Sequence, residues 1–454
     1  MRTWRLFPIC LAVLLAVSGQ IPSAPAAALA LDERWVAAWS TAPQGPYPTG
    51  FTIAQPTLTF ALPDDEARNQ TLRLIVHPSI GGDTLRLRLS NTFGTQPVTF
   101  GVVFVGLQAP GQGANIVSGS NRAVTFGGQT SVTIPVGQEI YSDPLQFKID
   151  DDAGQPRNLA VSLYVPGLSG PMTWHAAAFE TSYISNPRAG NHARDDGDSA
   201  FLHSTTSWFW LDGVEIRTAS DTAALVALGD SITDGFFSTL NENDRWPDDL
   251  ARQLQQRSRG RRWSVVNEGI GGNMVTRLQR IQGGCTPCDG PPLLDRLDRD
   301  VFGQAGVESI ILLEGINDLG GAGATADQVI AGLREVIGRV HDHGLTIIGA
   351  TITPSTGTTF NLYGTPETNA LRVQVNQFIR TSGEFDGVVD FDAAVRDPSH
   401  PEQLLPAFDG NSTVGGPGDH LHPNRAGFQA MARTVAPGFV DRVQQQQRAV
   451  HKER

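Results

Sequence analysis

Apolar positions follow two regimes along this chain, and the change comes near Asp221. Before it, short alternating runs dominate. Thr84–Ser90 (Thr-Leu-Arg-Leu-Arg-Leu-Ser) is apolar at every second position, the period of a strand with one buried face. Thr71–Val76, Val98–Val105, Ser131–Pro135 and Leu159–Val165 read the same way. The turn clusters Gly81–Asp83, Gly111–Gly113 and Asp150–Asp152 separate such runs. Many short strands between Gly/Pro turns predict an all-β region, of sandwich or jelly-roll type, over residues 31–216.

After Asp221 the pattern predicts strands at Ala224–Leu228, Ser264–Asn267, Ser309–Leu313, Thr346–Thr351 and Gly387–Phe391, with helical periodicity between them. In the clearest helix Thr325 caps and Gln328 completes a capping box. Val329, Leu333, Val336, Ile337 and Val340 form one face, and Gly344 stops it. Strand–helix alternation over residues 221–440 predicts an α/β unit with a parallel sheet covered on both faces. Sites in such sheets gather beyond the carboxyl ends of the strands. Ser231, Gly272 and Asn317 each fall just after a predicted strand. The polar tail, residues 441–454, reads as frayed.

Composition allows a substantial core, at 40% hydrophobic and 18% charged, and 454 residues suggest two domains. A net charge of −12 with no basic stripe argues against a nucleic-acid partner. Arg2 and Arg5 precede the apolar run Leu6–Val17, and Ala28-Leu29-Ala30 supplies small residues at an A-x-A site. This is the pattern of a cleavable export signal over residues 1–30, hence a secreted protein. Ser18, Gly19, Gln20 and Pro22 interrupt the run before it reaches membrane-spanning length, so no span is expected in the mature chain. Outside the signal, Cys285 and Cys288 are the two cysteines, in Cys-Thr-Pro-Cys. Export makes a disulfide the default reading. A redox pair or half of a metal site are the alternatives, though no further ligands stand at metal spacing.

The candidate chemistry is nucleophilic. Gly229-Asp230-Ser231-Ile232 ends a buried run abruptly, and the serine there needs a base, an orienting acid and oxyanion donors. His422 follows Asp419 by three residues in Gly418–Gly427, a spacing that lets the carboxylate reach the imidazole in a single turn. His420 is the competing base. His400 reads as a turn residue, and His341 and His343 end the clear helix, where cations suit its dipole. The Ser231 N–H, a glycine of Asn267–Asn273 and the Asn317 side-chain amide are candidate oxyanion donors. Phe236, Phe237 and Leu240 fit either an acyl pocket or the core face of a helix. Each piece alone is common; four in order on one sheet edge are not.

Residues 221–440 resemble the SGNH hydrolases of the GDSL esterase/lipase superfamily. Gly229–Gly235 matches the first block with Ser231 as nucleophile, and Gly269–Asn273 the second with Gly272, beside Gly271, as donor. Asn317 matches the third, and Asp419 with His422 the D-x-x-H-P block. The resemblance implies a flavodoxin-like three-layer α/β/α fold and a Ser231–His422–Asp419 triad. It also implies an oxyanion hole of Ser231, Gly272 and Asn317, with no cofactor and no metal. Trp35–Pro43 and Thr173–Ala177 resemble, more loosely, exported two-part members similar to arylesterases and carbohydrate acylesterases. His175, in the second of these stretches, has no place in that chemistry. The expected activity is hydrolysis of acetyl or short-chain esters on carbohydrate or small aryl and alkyl alcohols. Lipase or phospholipase activity, a non-catalytic carbohydrate-binding protein and a Cys285/Cys288 redox protein are the other readings.

Overall fold

The strand Thr222–Gly229 is buried at all eight positions. It lies between two parallel neighbours, Arg262–Gly269 and Val307–Leu313, with Leu225 opposite Val265 on one side and Ser309 on the other. Thr346–Ala350 and Gly387–Val389 extend the sheet, giving five parallel strands in the chain order second, first, third, fourth, fifth. A strand hydrogen-bonded on both edges and covered on both faces has no solvated side, and this is why its sequence is continuously apolar. The computed structural model describes Met1 and residues 33–52, 55–111, 113–150, 157–256, 261–281, 289–360, 362–436 and 438–453. The export-signal reading and the Cys285–Cys288 reading fall outside the described residues.

Alternate positions of the strands enter different clusters. Ala224, Val226, Leu228, Ile310 and Leu312 share a core with Val329, Leu333 and Val336 of the helix Ala326–Asp342 and with Val375 and Ile379 of Pro366–Thr381. Ala223, Leu225, Ala227, Ile311 and Leu313 share another with Trp246 and Leu250 of Trp246–Gln255 and Phe428 and Met431 of Arg425–Arg433. The helix from Ala326 starts at the Thr325–Gln328 capping box read from the sequence, with the Gln328 Oε1 accepting the Thr325 N–H at 2.9 Å.

The first three parallel strands each begin two residues earlier than the sequence reading has them, and the fourth strand, the fifth and the tail differ as well. Thr346–Ala350 stops one residue early. The last strand ends at Val389 because Asp390 turns the chain into the helix Phe391–Val395, its carboxylate accepting the Ala393 N–H. The tail is helical over Phe439–Glu453 instead of frayed. Val440 and Val443, three apart, bury one face of it. The Gln447 amide donates to Leu345 O at 2.7 Å, and Asp441 accepts the Trp263 indole N–H at 2.8 Å. A run of glutamines favours helix once two apolar residues anchor it.

The region before Asp221 is rich in strands, paired into two large antiparallel sheets and two two-stranded ones, Trp174–His175 with Trp208–Phe209 and Val98–Phe100 with Val132–Ile134. One large sheet holds Glu33–Ser40, Leu211–Ala219, Gly82–Ser90, Glu139–Tyr141 and Leu145–Ile149. The other holds His203–Thr205, Ser182–Ile184, Arg68–Val76, Leu159–Leu168, Val102–Leu107 and Arg122–Val124. Leu85, Leu87 and Leu89 of the first share a core with Leu72, Leu74, Val76, Val161 and Leu163 of the second. The polar rows are not simply solvated. Arg73 is wholly buried and donates to Ser162, Ala114 O and Asp195 O, and Arg88 pairs with buried Asp212 at 3.0 Å.

Residues 33–454 form one compact unit. Its core cluster runs from Val36 to Leu421 across both regions. The Ala37 N–H donates to Ala305 O at 2.9 Å, Arg88 donates to Gly303 O, and Ser40 bonds Glu268. A side chain at Gly306 would strike Val36 and Trp35 O, so the two regions meet there backbone to backbone.

Candidate active site

Ser231 stands at the first turn after the buried strand. Gly229 must lack a side chain: a Cβ there would lie 2.2 Å from Leu313 O and 2.5 Å from Thr233 Oγ1. Asp230 is the N-cap of the short helix Ser231–Asp234, its carboxylate accepting the Ile232 N–H at 2.9 Å. The chain then leaves the helix at Gly235, φ 110°, which ends it after one turn. Strand end, cap and glycine together hold Ser231 in place with only 4% of its surface exposed.

The Ser231 Oγ lies 2.8 Å from His422 Nε2, and His422 Nδ1 lies 2.6 Å from Asp419 Oδ2. The other oxygen of Asp419 accepts the backbone N–H groups of Leu421 and His422 at 3.0 and 2.8 Å. The turn is closed by its own carboxylate, as the D-x-x-H spacing suggested. Burial pushes Asp419 up, but the facing imidazole and these N–H groups outweigh it and hold the carboxyl below its ordinary range. An ionised Asp419 fixes the proton of His422 on Nδ1 and leaves Nε2 free to accept from the serine. Phe236 stacks on the imidazole at 5.4 Å and Phe237 packs at 5.7 Å. Neither belongs to a helix face. Both follow the Gly235 turn, and Phe236 also lines the pocket in front of Ser231. Leu240 is half-buried, with its N–H donating to Thr413 Oγ1.

The second and third blocks arrive at the same place. Ser231, Gly272, Asn317 and His422 line a pocket of about 220 Å³ with Phe51, Phe236, Arg280, Phe360, Tyr363 and Leu421. Of the two candidate glycines, Gly271 has its N–H engaged by Asp234 Oδ2 at 3.0 Å. The Gly272 N–H has no hydrogen-bond partner among the described residues. Gly272 sits at φ +82°, and a Cβ there would strike Phe51, Arg280 and Asp289. Asn317 donates one amide hydrogen to Asn273 O at 2.8 Å, and its Oδ1 accepts from Tyr363 Oη at 2.7 Å and Arg280 Nη2 at 3.3 Å. These two donors settle which end of the amide is oxygen, and the second amide hydrogen is left for the pocket. Burial pushes Tyr363 up to about 12, so its hydroxyl keeps the proton it donates. Arg296, fully buried, ties the sheet edge together by donating to Gly229 O, Glu268 O and Asn273 Oδ1.

Three carboxyls lie behind this face. Burial pushes Asp230 up to about 7 and Asp318 up to about 6, the latter held back by the N–H groups of Val275 and Thr276. Glu314, between them in sequence and fully buried, is driven far above its ordinary range by burial and by those two neighbours. Neither Glu314 oxygen makes a hydrogen bond among the described residues, the Gly315 N–H alone lying nearby.

The other histidines are elsewhere. His420, at φ 60°, turns away and pairs with Asp409. His400 is exposed beside Glu402, His341 pairs with Asp386 at 3.0 Å, and His343 stacks on Phe302. Phe51, Arg280, Phe360 and Tyr363 were missed by the sequence reading. They come from loops with no periodic or motif signal. Arg280 and Asp289 flank the Cys-Thr-Pro-Cys stretch and pair at 2.5 Å.

The profile of the GDSL-like lipase/acylhydrolase family matches residues 227–430, the stretch that carries Ser231, Gly272, Asn317, Asp419 and His422. This part of the chain is a GDSL-like acylhydrolase domain with the SGNH hydrolase fold, and the chain is a carboxylic ester hydrolase. Among solved structures it is similar to a carbohydrate acetylesterase family member from Sinorhizobium meliloti, at 18% identity. That match covers 49% of this chain and 98% of the other, with a TM-score of 0.37. It is also similar to the native aryl esterase of M. smegmatis, at 14% identity over 50% of this chain and 99% of the other, TM-score 0.35. No curated protein matches the chain.

Proposed function

We propose that this is an exported serine esterase that removes acetyl or other short acyl groups from carbohydrate or from small aryl and alkyl alcohols. One observation carries the reading: Ser231, His422 and Asp419 form a single hydrogen-bonded chain opening into the pocket. In the first step His422 Nε2 takes the Ser231 proton as Oγ attacks the ester carbonyl, and the imidazolium so formed faces Asp419. The Ser231 N–H, the Gly272 N–H and the free Asn317 amide hydrogen meet the oxyanion, each worth about 2.7–4 kcal/mol in such sites. His422 then gives its proton to the leaving alcohol. A water deprotonated by the same nitrogen releases the acid and restores Ser231. None of these steps calls for a metal or a cofactor.

The pocket of about 220 Å³, bounded by Phe51, Phe236, Phe360 and Tyr363, supports a short acyl group. A second reading, extracellular lipase or phospholipase, is favoured by exposed Phe360, Leu362 and Ile281 on the segments that bring Tyr363 and Arg280. The helices on both sides of the sheet support a flavodoxin-like three-layer arrangement. Export rests on Arg2, Arg5, the Leu6–Val17 run and Ala28-Leu29-Ala30. A panel of p-nitrophenyl esters from acetyl to palmitoyl, with acetylated polysaccharides and Ser231→Ala as control, tests the reading. The expected result, from the pocket size, is fastest turnover at about two to four carbons. A rate that climbs toward long chains would select the lipase reading instead.

A further inference from the structure

His175 lies in the strand-rich region, 3% exposed, on the short strand Trp174–His175. Its Nδ1 is 2.8 Å from Ala42 O and its Nε2 is 3.1 Å from Asp234 Oδ1. A carbonyl oxygen only accepts, so Nδ1 carries a hydrogen. The Nε2–Oδ1 contact then also needs a proton between its atoms, because two lone pairs at that distance would repel. The other oxygen of Asp234 accepts the Gly271 N–H at 3.0 Å. Asp234 is the last residue of the Ser231–Asp234 turn, and a Cβ on Gly269 would lie 2.2 Å from the Asp234 nitrogen. The nucleophile turn and the second-block turn are therefore packed against each other, and one carboxylate joins them.

The consequence falls on Gly272. Its N–H belongs to the peptide between two fixed points. On one side the Gly271 N–H is held by Asp234. On the other the Gly272 carbonyl accepts Arg280 Nη2 at 2.7 Å. A glycine pair with neither anchor can rotate that peptide freely, and only one orientation points its N–H into the pocket.

We propose that His175 is a positioning residue for ester hydrolysis: it holds Asp234 so that Asp234 clamps Gly271, and this aims the Gly272 N–H at the oxyanion. The strand-rich region thus supplies part of the alignment of the hydrolase's oxyanion hole, through a side chain far from Ser231 in sequence. The inference rests on the reading of Ser231, Gly272 and Asn317 as that hole.

The test compares steady-state kinetics on p-nitrophenyl acetate for His175→Ala, Asp234→Ala, Asp234→Asn, the double alanine variant and Ser231→Ala, in the full-length protein. A misaimed donor acts on the transition state. Each single alanine variant should therefore lose about 10- to 100-fold in kcat with little change in KM, and the double variant should be no slower than the slower single one. Asp234→Asn can accept from Gly271 and donate to a neutral His175, so it should recover most of the loss seen in Asp234→Ala. A merely structural role would not give this split between kcat and KM or this rescue. Near-wild-type kcat in His175→Ala, with Ser231→Ala inactive, would overturn the positioning role and leave the catalytic reading standing. An active Ser231→Ala would bring down the catalytic reading itself. Should His175→Ala fail to fold, the Asp234 pair decides: an Asp234→Asn as slow as Asp234→Ala overturns the proposal.

Discussion

Two histidines two residues apart receive opposite surroundings. His422 is buried between Phe236 and Phe237 with one nitrogen on Asp419 and the other on Ser231. His420 is about half exposed and paired with Asp409. Replacing Asp419 by Asn should lower kcat by roughly 10⁴-fold, because the amide favours the wrong imidazole tautomer. Replacing His422 should cost at least as much, and His420→Ala should leave kcat at the wild-type level. Equal losses for the two histidines would mean the base is misassigned. The D-x-x-H spacing made this dyad legible because both partners lie in one turn. The clamp on Asn317 by Tyr363 and Arg280 was not legible, since it joins loops that no local pattern connects.

At the scale of elements, the sheet and its longest helix, Ala326–Asp342, could be read because burial on one or two faces leaves a period in the sequence. That signal failed where a single polar group decides, Asp390 ending a strand, and where two valines anchor a glutamine-rich tail as a helix. The strand Val307–Leu313 illustrates a further cost that periodicity hides. It delivers Glu314 into the core beside Asp230 and Asp318, where burial and those two carboxyls drive its carboxyl far above the ordinary range. Its folded-state pKa is raised, so the folded chain holds a proton that the unfolded chain releases once pH passes the ordinary glutamate value. Stability from this group is complete in acid and is lost as pH rises from there toward the raised value. Glu314→Gln removes that dependence. The stability of the variant relative to wild type should rise with pH by up to about 1.4 kcal/mol per pH unit above pH 5. Denaturant unfolding at pH 5, 6.5 and 8 measures it. A constant difference would show that Glu314 is ionised in the folded protein.

For the whole molecule, the change of pattern near Asp221 separates two kinds of sheet but not two cores. Val36 packs at Gly306, Phe179 packs edge-on against Phe236 at 5.5 Å, and Ser40 bonds Glu268. None of these pairs is visible in sequence, because each joins residues tens to hundreds of positions apart. A chain beginning at Asp221 should therefore fail to fold as a stable unit, since each large apolar side chain newly exposed costs about 1.5–3 kcal/mol. Expression of residues 221–454 alone, followed by thermal unfolding, checks this; a cooperative transition at the full-length temperature would refute it. Phe51 lines the pocket in front of Ser231 and His175 meets Asp234, so the strand-rich region reaches the candidate site. Everything in this account nevertheless depends on Ser231 being the nucleophile. Treatment of the full-length protein with a fluorophosphonate, followed by peptide mass analysis, tests that most directly. The account predicts one adduct, on the peptide containing Ser231, formed in step with loss of esterase activity and absent from Ser231→Ala. Full activity in Ser231→Ala, or inactivation with the adduct on another residue, would contradict it.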